Sequence, residues 1–196
     1  SPQVSIAYDN NDVSNGMYYK APRTATITVV ESNFDLIRRY DEHRAIVTVE
    51  RNGHGSSITA SEFENPSGDG RTWVALAPCD SDADWALSAS LTDPTGKEGG
   101  VERDAFIVDT TAPAILVQFD NNEVANGMYF KAPRTATVTV MDRNFDPALA
   151  QVAPWARDAG NAPAATPAIA GWRAVDRRSE WTTSVPFAHE LHYGMS

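Results

Sequence analysis

The chain has 196 residues, with 26 Asp and Glu against 16 Lys and Arg, and a formal net charge of −10 at pH 7. That balance excludes non-specific nucleic-acid binding, which needs clustered cations to displace phosphate counterions, and docking on anionic lipid. No apolar run approaches the roughly 20 residues of a membrane-spanning helix, and the single Cys79 rules out an intrachain disulfide.

Taken in order, Val4, Ile6 and Tyr8 alternate with polar residues and predict a first strand. Asp9-Asn10-Asn11 and Asn15-Gly16 are turn chemistry, Gly16 being able to take positive φ without steric cost. Thr24-Ala25-Thr26-Ile27-Thr28-Val29 follows as a strand with Ala25, Ile27 and Val29 on one face. Threonine on the other face fits a solvated pleat. Arg23, just before this strand, is expected to pair at the surface with a carboxylate such as Asp35, a contact worth about 0–1 kcal/mol. In Asn33-Phe34-Asp35 the phenyl ring is read as a plug for one end of the core. Asp35 is read as the cap of a brief helix crossing to the next strand.

Further strands are predicted at 45–51, 57–63, 72–77, 84–92 and 105–109, with Trp73, Trp85, Leu87, Ala89 and Leu91 supplying core bulk. Asp93-Pro94-Thr95-Gly96 is a turn toward the last of them. Seven short strands in about a hundred residues, separated by turn signals, read as an immunoglobulin-like sandwich.

The chain then starts again. Segment 2–35 returns at 113–146, shifted by 111 positions, with Asp120-Asn121-Asn122, Lys131-Ala132-Pro133-Arg134-Thr135 and Asn144-Phe145-Asp146 all in place. Such a period is too long for a solenoid unit of about 20–50 residues and has the size of a domain. The expected organisation is therefore all-β, with two tandem immunoglobulin-like β-sandwiches at 1–111 and 112–196. Thr110-Thr111-Ala112-Pro113 joins them without glycine, which favours an extended and fairly stiff connection.

Past the shared block, Ile58 and Phe63 correspond to Ile169 and Trp172, Trp73 to Trp181, Cys79 to Phe187 and Trp85 to Tyr193. By this alignment the second sandwich lacks most of its sixth strand and all of its seventh. Its edge is expected to be covered by another chain, possible pairing of two copies included, or to be poorly packed. The chain begins at Ser1 with no Met and no basic-then-apolar leader, as expected of an internal piece of a larger protein.

Residues 15–35, from Asn-Gly-Met-Tyr through Lys-Ala-Pro-Arg-Thr-Ala-Thr to Asn-Phe-Asp, together with Phe106-Ile-Val-Asp-Thr-Thr-Ala-Pro113, resemble bacterial Ig-like repeats. These occur in large secreted or wall-anchored surface proteins of Gram-positive bacteria. Asp82-Ala83-Asp84-Trp85 and Asp93-Pro94-Thr95-Gly96-Lys97 depart from the usual aromatic after Asp-Gly and the usual Ala-Gly-Asn turn. The resemblance implies extracellular display on a stalk, with neighbouring repeats as partners, and supplies no catalytic residue.

Candidate sites are few. Asp80, Asp82 and Asp84 have the one-three-five spacing that opens a calcium loop, but Trp85 stands where its glycine belongs and Leu91 where its glutamate belongs. An acidic turn is the reading preferred. Lys20 and Lys131 are the candidates for a Lys–Asn isopeptide crosslink, with Asn33 and Asn144 as partners by type; fold analogy is the warrant. His43, His54, His189 and His192 form no ligand pattern shared by the copies. No nucleophile triad, phosphate loop or trusted carboxylate pair is present, so neither an enzyme nor a bound cofactor is expected. Trp155 and Trp172, in and beside the segment 148–168 where the copies differ most, are the candidates to face a host protein or glycan. A structural stalk module leads; a binding module, or an accessory domain of a secreted carbohydrate-active enzyme, are the alternatives.

Overall fold

The computed structural model describes residues 1–100, 102–127, 129–176, 179–188 and 191–195. It is mostly β and divides into two compact units, Ser1–Thr111 and Ala112–Ser196.

Unit 1 contains β1 (Gln3–Tyr8), β2 (Val13–Ser14), β3 (Tyr18–Tyr19), β4 (Arg23–Val30), α1 (Phe34–Tyr40), β5 (Ala45–Arg51), β6 (His54–Thr59), β7 (Thr72–Cys79), β8 (Ala83–Ala89) and β9 (Glu102–Val108). One sheet has the order β1-β4-β7, the other β2-β3-β9-β8-β5-β6. The alternation read from sequence is realised in β4, whose residues Ala25, Ile27 and Val29 are buried while the threonines between them stay half-exposed. Ile6 and Ala75 flank Ile27 from β1 and β7. Buried residues of β5, β8 and β9, among them Val47, Leu87 and Val108, complete a single core shared by both sheets.

Two short strands escape the sequence reading. β2 and β3 pair across Asn15 and Gly16, whose φ angles of 49° and 79° are both left-handed. Such angles are what a tight hairpin turn demands of Asn-Gly. The consequence lies in β3, whose other side pairs parallel with β9, Tyr18 opposite Ile107.

Other predicted elements shift. The strand expected over 57–63 stops at Thr59 and gives way to a 3-10 turn at Ala60–Glu62. There the Glu62 carboxylate accepts the Thr59 N–H at 2.6 Å, closing the turn on its own first residue. The strand expected to 92 ends at Ala89, although Leu91 remains buried. The helix is present, seven residues long, but Asp35 is not its cap. Asn33 occupies that position without a side-chain hydrogen bond, and Asp35 lies inside the first turn. The carboxylate that orders the entry is that of Glu31, which accepts the Asn33 N–H at 2.9 Å.

Unit 2 contains β10 (Ala114–Phe119), β11 (Val124–Ala125), β12 (Tyr129–Phe130), β13 (Arg134–Met141), β14 (Pro154–Arg157), β15 (Arg173–Asp176), β16 (Glu180–Phe187) and β17 (His192–Met195). Its sheets are β10-β13-β16-β15, β11-β12 and β14-β17. The pairing of β10 with β13 copies that of β1 with β4, Val117 standing opposite Val138 as Ile6 stands opposite Ile27. Asp146, unlike Asp35, does cap a turn, accepting the Ala148 N–H at 2.9 Å, yet no helix follows it.

Packing separates the units. The buried cluster of unit 2 is confined to Ala136, Val185 and Phe187, with Phe119, Val152, Tyr193 and Met195 against it. Ile115, the counterpart of buried Val4, is 68% exposed. In unit 1 the inward face of β1 meets β8 and β9. Among the described residues, unit 2 has no strand equivalent to β9.

Candidate functional site

The repeated motif builds the same polar clasp twice. In unit 1 the Asp9 carboxylate accepts the Thr24 N–H at 2.7 Å, and Asn10 Nδ2 donates to the carbonyls of Ala21 and Pro22 at 3.2 Å each. In unit 2 Asp120 accepts the Thr135 N–H at 2.7 Å, and Asn121 donates to Ala132 and Pro133. Both carboxyls, Asp9 and Asp120, are held below the usual carboxylate range chiefly by those backbone N–H donors. The motif thus fastens the turn after β1 or β10 to the start of the next long strand.

Arg23 closes the clasp and corrects the surface ion pair expected of it. It is only 3% exposed, in phase with Ala25, Ile27 and Val29 on the buried face of β4. Its Nε donates to the Asn10 carbonyl at 2.8 Å. The guanidinium carbon lies 3.7 Å from the centroids of both Tyr8 and Tyr19 and 4.3 Å from that of Phe106. A planar, weakly hydrated cation between ring faces is the arrangement a guanidinium tolerates on burial. Its carboxylate partner is Asp104 on β9, at 3.9 Å, and not Asp35. Burial first, and the Asp104 charge second, push the Tyr8 phenol up.

Arg134 repeats the geometry with fewer neighbours. Its Nε donates to the Asn121 carbonyl at 2.6 Å, and its guanidinium lies 3.8 Å from Phe119 and 3.7 Å from Phe130. A cleft of about 820 Å³ opens beside it, with Tyr129, Phe187, Tyr193 and Met195 in its walls.

The acidic triplet does not converge. Among the described residues no three His, Cys, Asp or Glu side chains are grouped to hold a metal ion. Asp84 lies on β8, whereas the Asp82 carboxylate accepts the N–H and hydroxyl of Thr110 at 2.7 Å each and the hydroxyl of Thr111. These donors, the Thr111 hydroxyl foremost, hold the Asp82 carboxyl below its usual value of 3.8. Asp80 has no role in this contact. Lys20 and Lys131 are exposed, so neither has the buried setting in which a Lys–Asn crosslink is promoted.

The tryptophans sort by their rings. Trp73 and Trp85 are buried, and Trp85 Nε1 donates to the Ser81 carbonyl at 3.0 Å. Trp172 is half-buried and stands edge-on to Phe145 at 4.9 Å, while Trp181 tilts on the same ring at 5.8 Å. Phe63 and Trp73 stand around Phe34 in the same way, each at 5.3 Å. Trp172 therefore takes the packing role of Phe63. Trp155 is different: it is 44% exposed and lies across Gly194, where an added Cβ would collide with the indole. Of the histidines, His43 and His54 are solvent-exposed, His192 begins β17, and His189 lies outside the described residues.

Cys79 is buried, and burial pushes its thiol up to about 11. Only the thiolate reacts. At pH 8 its modification in the native protein is expected to run about two orders of magnitude slower than in urea, as followed by a chromogenic disulfide reagent. Equal rates would mean that unit 1 opens readily at β7.

No protein-family model and no curated protein sequence matches the chain.

Proposed function

We propose that both units are immunoglobulin-like sandwiches and that the chain is a structural stalk module of a large bacterial surface protein. In this reading it spaces or displays an adhesive region outside a Gram-positive cell, with neighbouring repeats as its partners. The observation that carries the proposal is where the repeated residues go. Asp9, Asn10 and Arg23, like Asp120, Asn121 and Arg134, direct hydrogen bonds within their own unit that fasten its turn to its strand. A chain that repeats a self-fastening domain is adding length.

The Asp82 contact supports the same reading. It ties Thr110 and Thr111, the first residues of the joint, back to the turn between β7 and β8. Charge-assisted hydrogen bonds of this kind are the stronger class. Spin labels, one in each unit, are expected to give a narrow distance distribution in the native protein and a broad one in Asp82→Ala. A distribution equally broad in both would remove the stiff-joint argument.

Acid should act in the same direction as the substitution. Because the folded-state pKa of Asp82 is depressed, its contribution is fully present above the usual value of 3.8 and is lost as pH falls through the lowered folded value. The sign is the same for Asp9, Asp93 and Asp120. Stability measured by thermal unfolding is expected to hold from neutral pH down to about 4 and to fall below it. On a glycan array the native chain is expected to give no signal; a strong signal abolished by Trp155→Ala would favour a binding module.

A further inference from the structure

In unit 1, β9 runs between β8 and β3. It is antiparallel to β8, with Phe106 opposite Trp85, and parallel to β3, with Ile107 opposite Tyr18. From that position Phe106 supplies the third ring over Arg23, Asp104 supplies the carboxylate, and Val108 is fully buried. In unit 2 the counterparts of β3 and β8 are β12 and β17. Each has a strand on one side, β11 and β14 respectively, and among the described residues no strand lies between them. The cleft of about 820 Å³ opens at this place, with Phe130, Arg134 and Tyr193 in its walls. Arg134 has two rings where Arg23 has three, and no ion pair to it occurs among the described residues.

We propose that this cleft is a receptor for an extended polypeptide segment with the chemistry of β9: a carboxylate, a small residue, a phenyl ring and two branched aliphatic residues, as in Asp104-Ala105-Phe106-Ile107-Val108. The segment enters as a strand, antiparallel to β17 and parallel to β12. The inference rests on reading unit 2 as the same sandwich as unit 1. Main-chain hydrogen bonds to a sheet edge supply affinity in this mode of recognition, and pockets for alternate side chains supply specificity. Here the ring seats on Arg134 and the carboxylate, two residues earlier, meets the guanidinium charge. The occupant is a segment not already folded elsewhere. A second copy of this chain keeps its own β9 in the core of unit 1, where Phe106 and Val108 are buried, and offering it would unfold that unit.

The test uses the intact chain and a labelled synthetic peptide of sequence Glu-Arg-Asp-Ala-Phe-Ile-Val-Asp-Thr, that of residues 102–110. Saturable binding is expected, with amide exchange slowed in β12 and β17 and unchanged in β3 and β8. The peptide carrying Phe106→Ser is expected to bind at least about tenfold more weakly, and Asp104→Asn to weaken binding as well. Since the substitutions lie in the peptide, protein folding is untouched by them. Absence of saturable binding at millimolar peptide, equal affinity for Phe106→Ser, or protection confined to unit 1 would each overturn the proposal. The spin-label measurement at the joint reads Asp82 in unit 1 and fails or succeeds independently of these results.

Discussion

Arg23→Ala is expected to destabilise unit 1 by about 4 kcal/mol, read from its urea unfolding transition by the fluorescence of Trp73 and Trp85. A desolvated cation–π contact is worth about 2 kcal/mol or more, and a hydrogen bond to a charged group about 1.5–3 kcal/mol. Arg23 holds the ring faces of Tyr8 and Tyr19 on either side and donates to the Asn10 carbonyl. Removing it leaves that carbonyl and the Asp104 carboxylate without their cation. Arg23→Lys is not expected to restore the loss, because an ammonium lacks the flat face that fits between rings and is more strongly hydrated. Arg134→Ala in unit 2 should cost about half as much, since its guanidinium meets two rings and no carboxylate among the described residues. A loss below about 1 kcal/mol for Arg23→Ala, the size of a surface ion pair, would overturn the buried-clasp account.

The second large effect is at Phe34. This ring is fully buried between Phe63 and Trp73, so Phe34→Ala is expected to cost about 3–5 kcal/mol, combining lost transfer energy with the cavity left behind. Leu36, two residues on and 40% exposed, serves as the control, and Leu36→Ala should stay within about 0.5 kcal/mol. Phe145→Ala should cost less than Phe34→Ala, because Phe145 is half-exposed even though Trp172 and Trp181 both lean on it. Equal losses at Phe34 and Phe145 would mean that the aromatic cluster of unit 2 is better enclosed than its exposure indicates.

Strands were legible wherever alternation was strong. The strand read at 45–51 coincides with β5, and the phase read for Ala25, Ile27 and Val29 is the phase that is buried. Boundaries were less legible where a side chain redirects the backbone. Glu62 turns the end of β6 by accepting the Thr59 N–H, and Glu31, four residues before the expected cap Asp35, orders the entry to α1. The short strands β2 and β3 carry too few residues to show a period, and β9, the second partner of β3, lies nearly ninety residues away in sequence.

For the candidate site the decisive misreading was Arg23. Its position in phase with three buried residues was visible, but the charge argued for the surface. Three rings, two from strands near it in sequence and one from β9, reverse that expectation. Trp172 illustrates the converse. As a tryptophan beside a variable segment it suggested a ligand platform, and its contact with Phe145 gives it a packing role.

From the residues alone came the β-rich character, the repeat at a spacing of 111 and the absence of any long apolar span, because alternation, self-similarity and hydropathy are properties of neighbouring positions. Only the tertiary structure decided what the repeated residues do. Asp9, Asn10 and Arg23 are turn and surface types by composition, and become a clasp closed by a buried guanidinium because the two sheets bring Tyr8, Tyr19 and Phe106 around it. The same geometry distinguishes the two copies. Nearly identical local sequence folds into like strands in both, but burial depends on the distant strand that covers them, and that strand is present in unit 1 and absent among the described residues of unit 2.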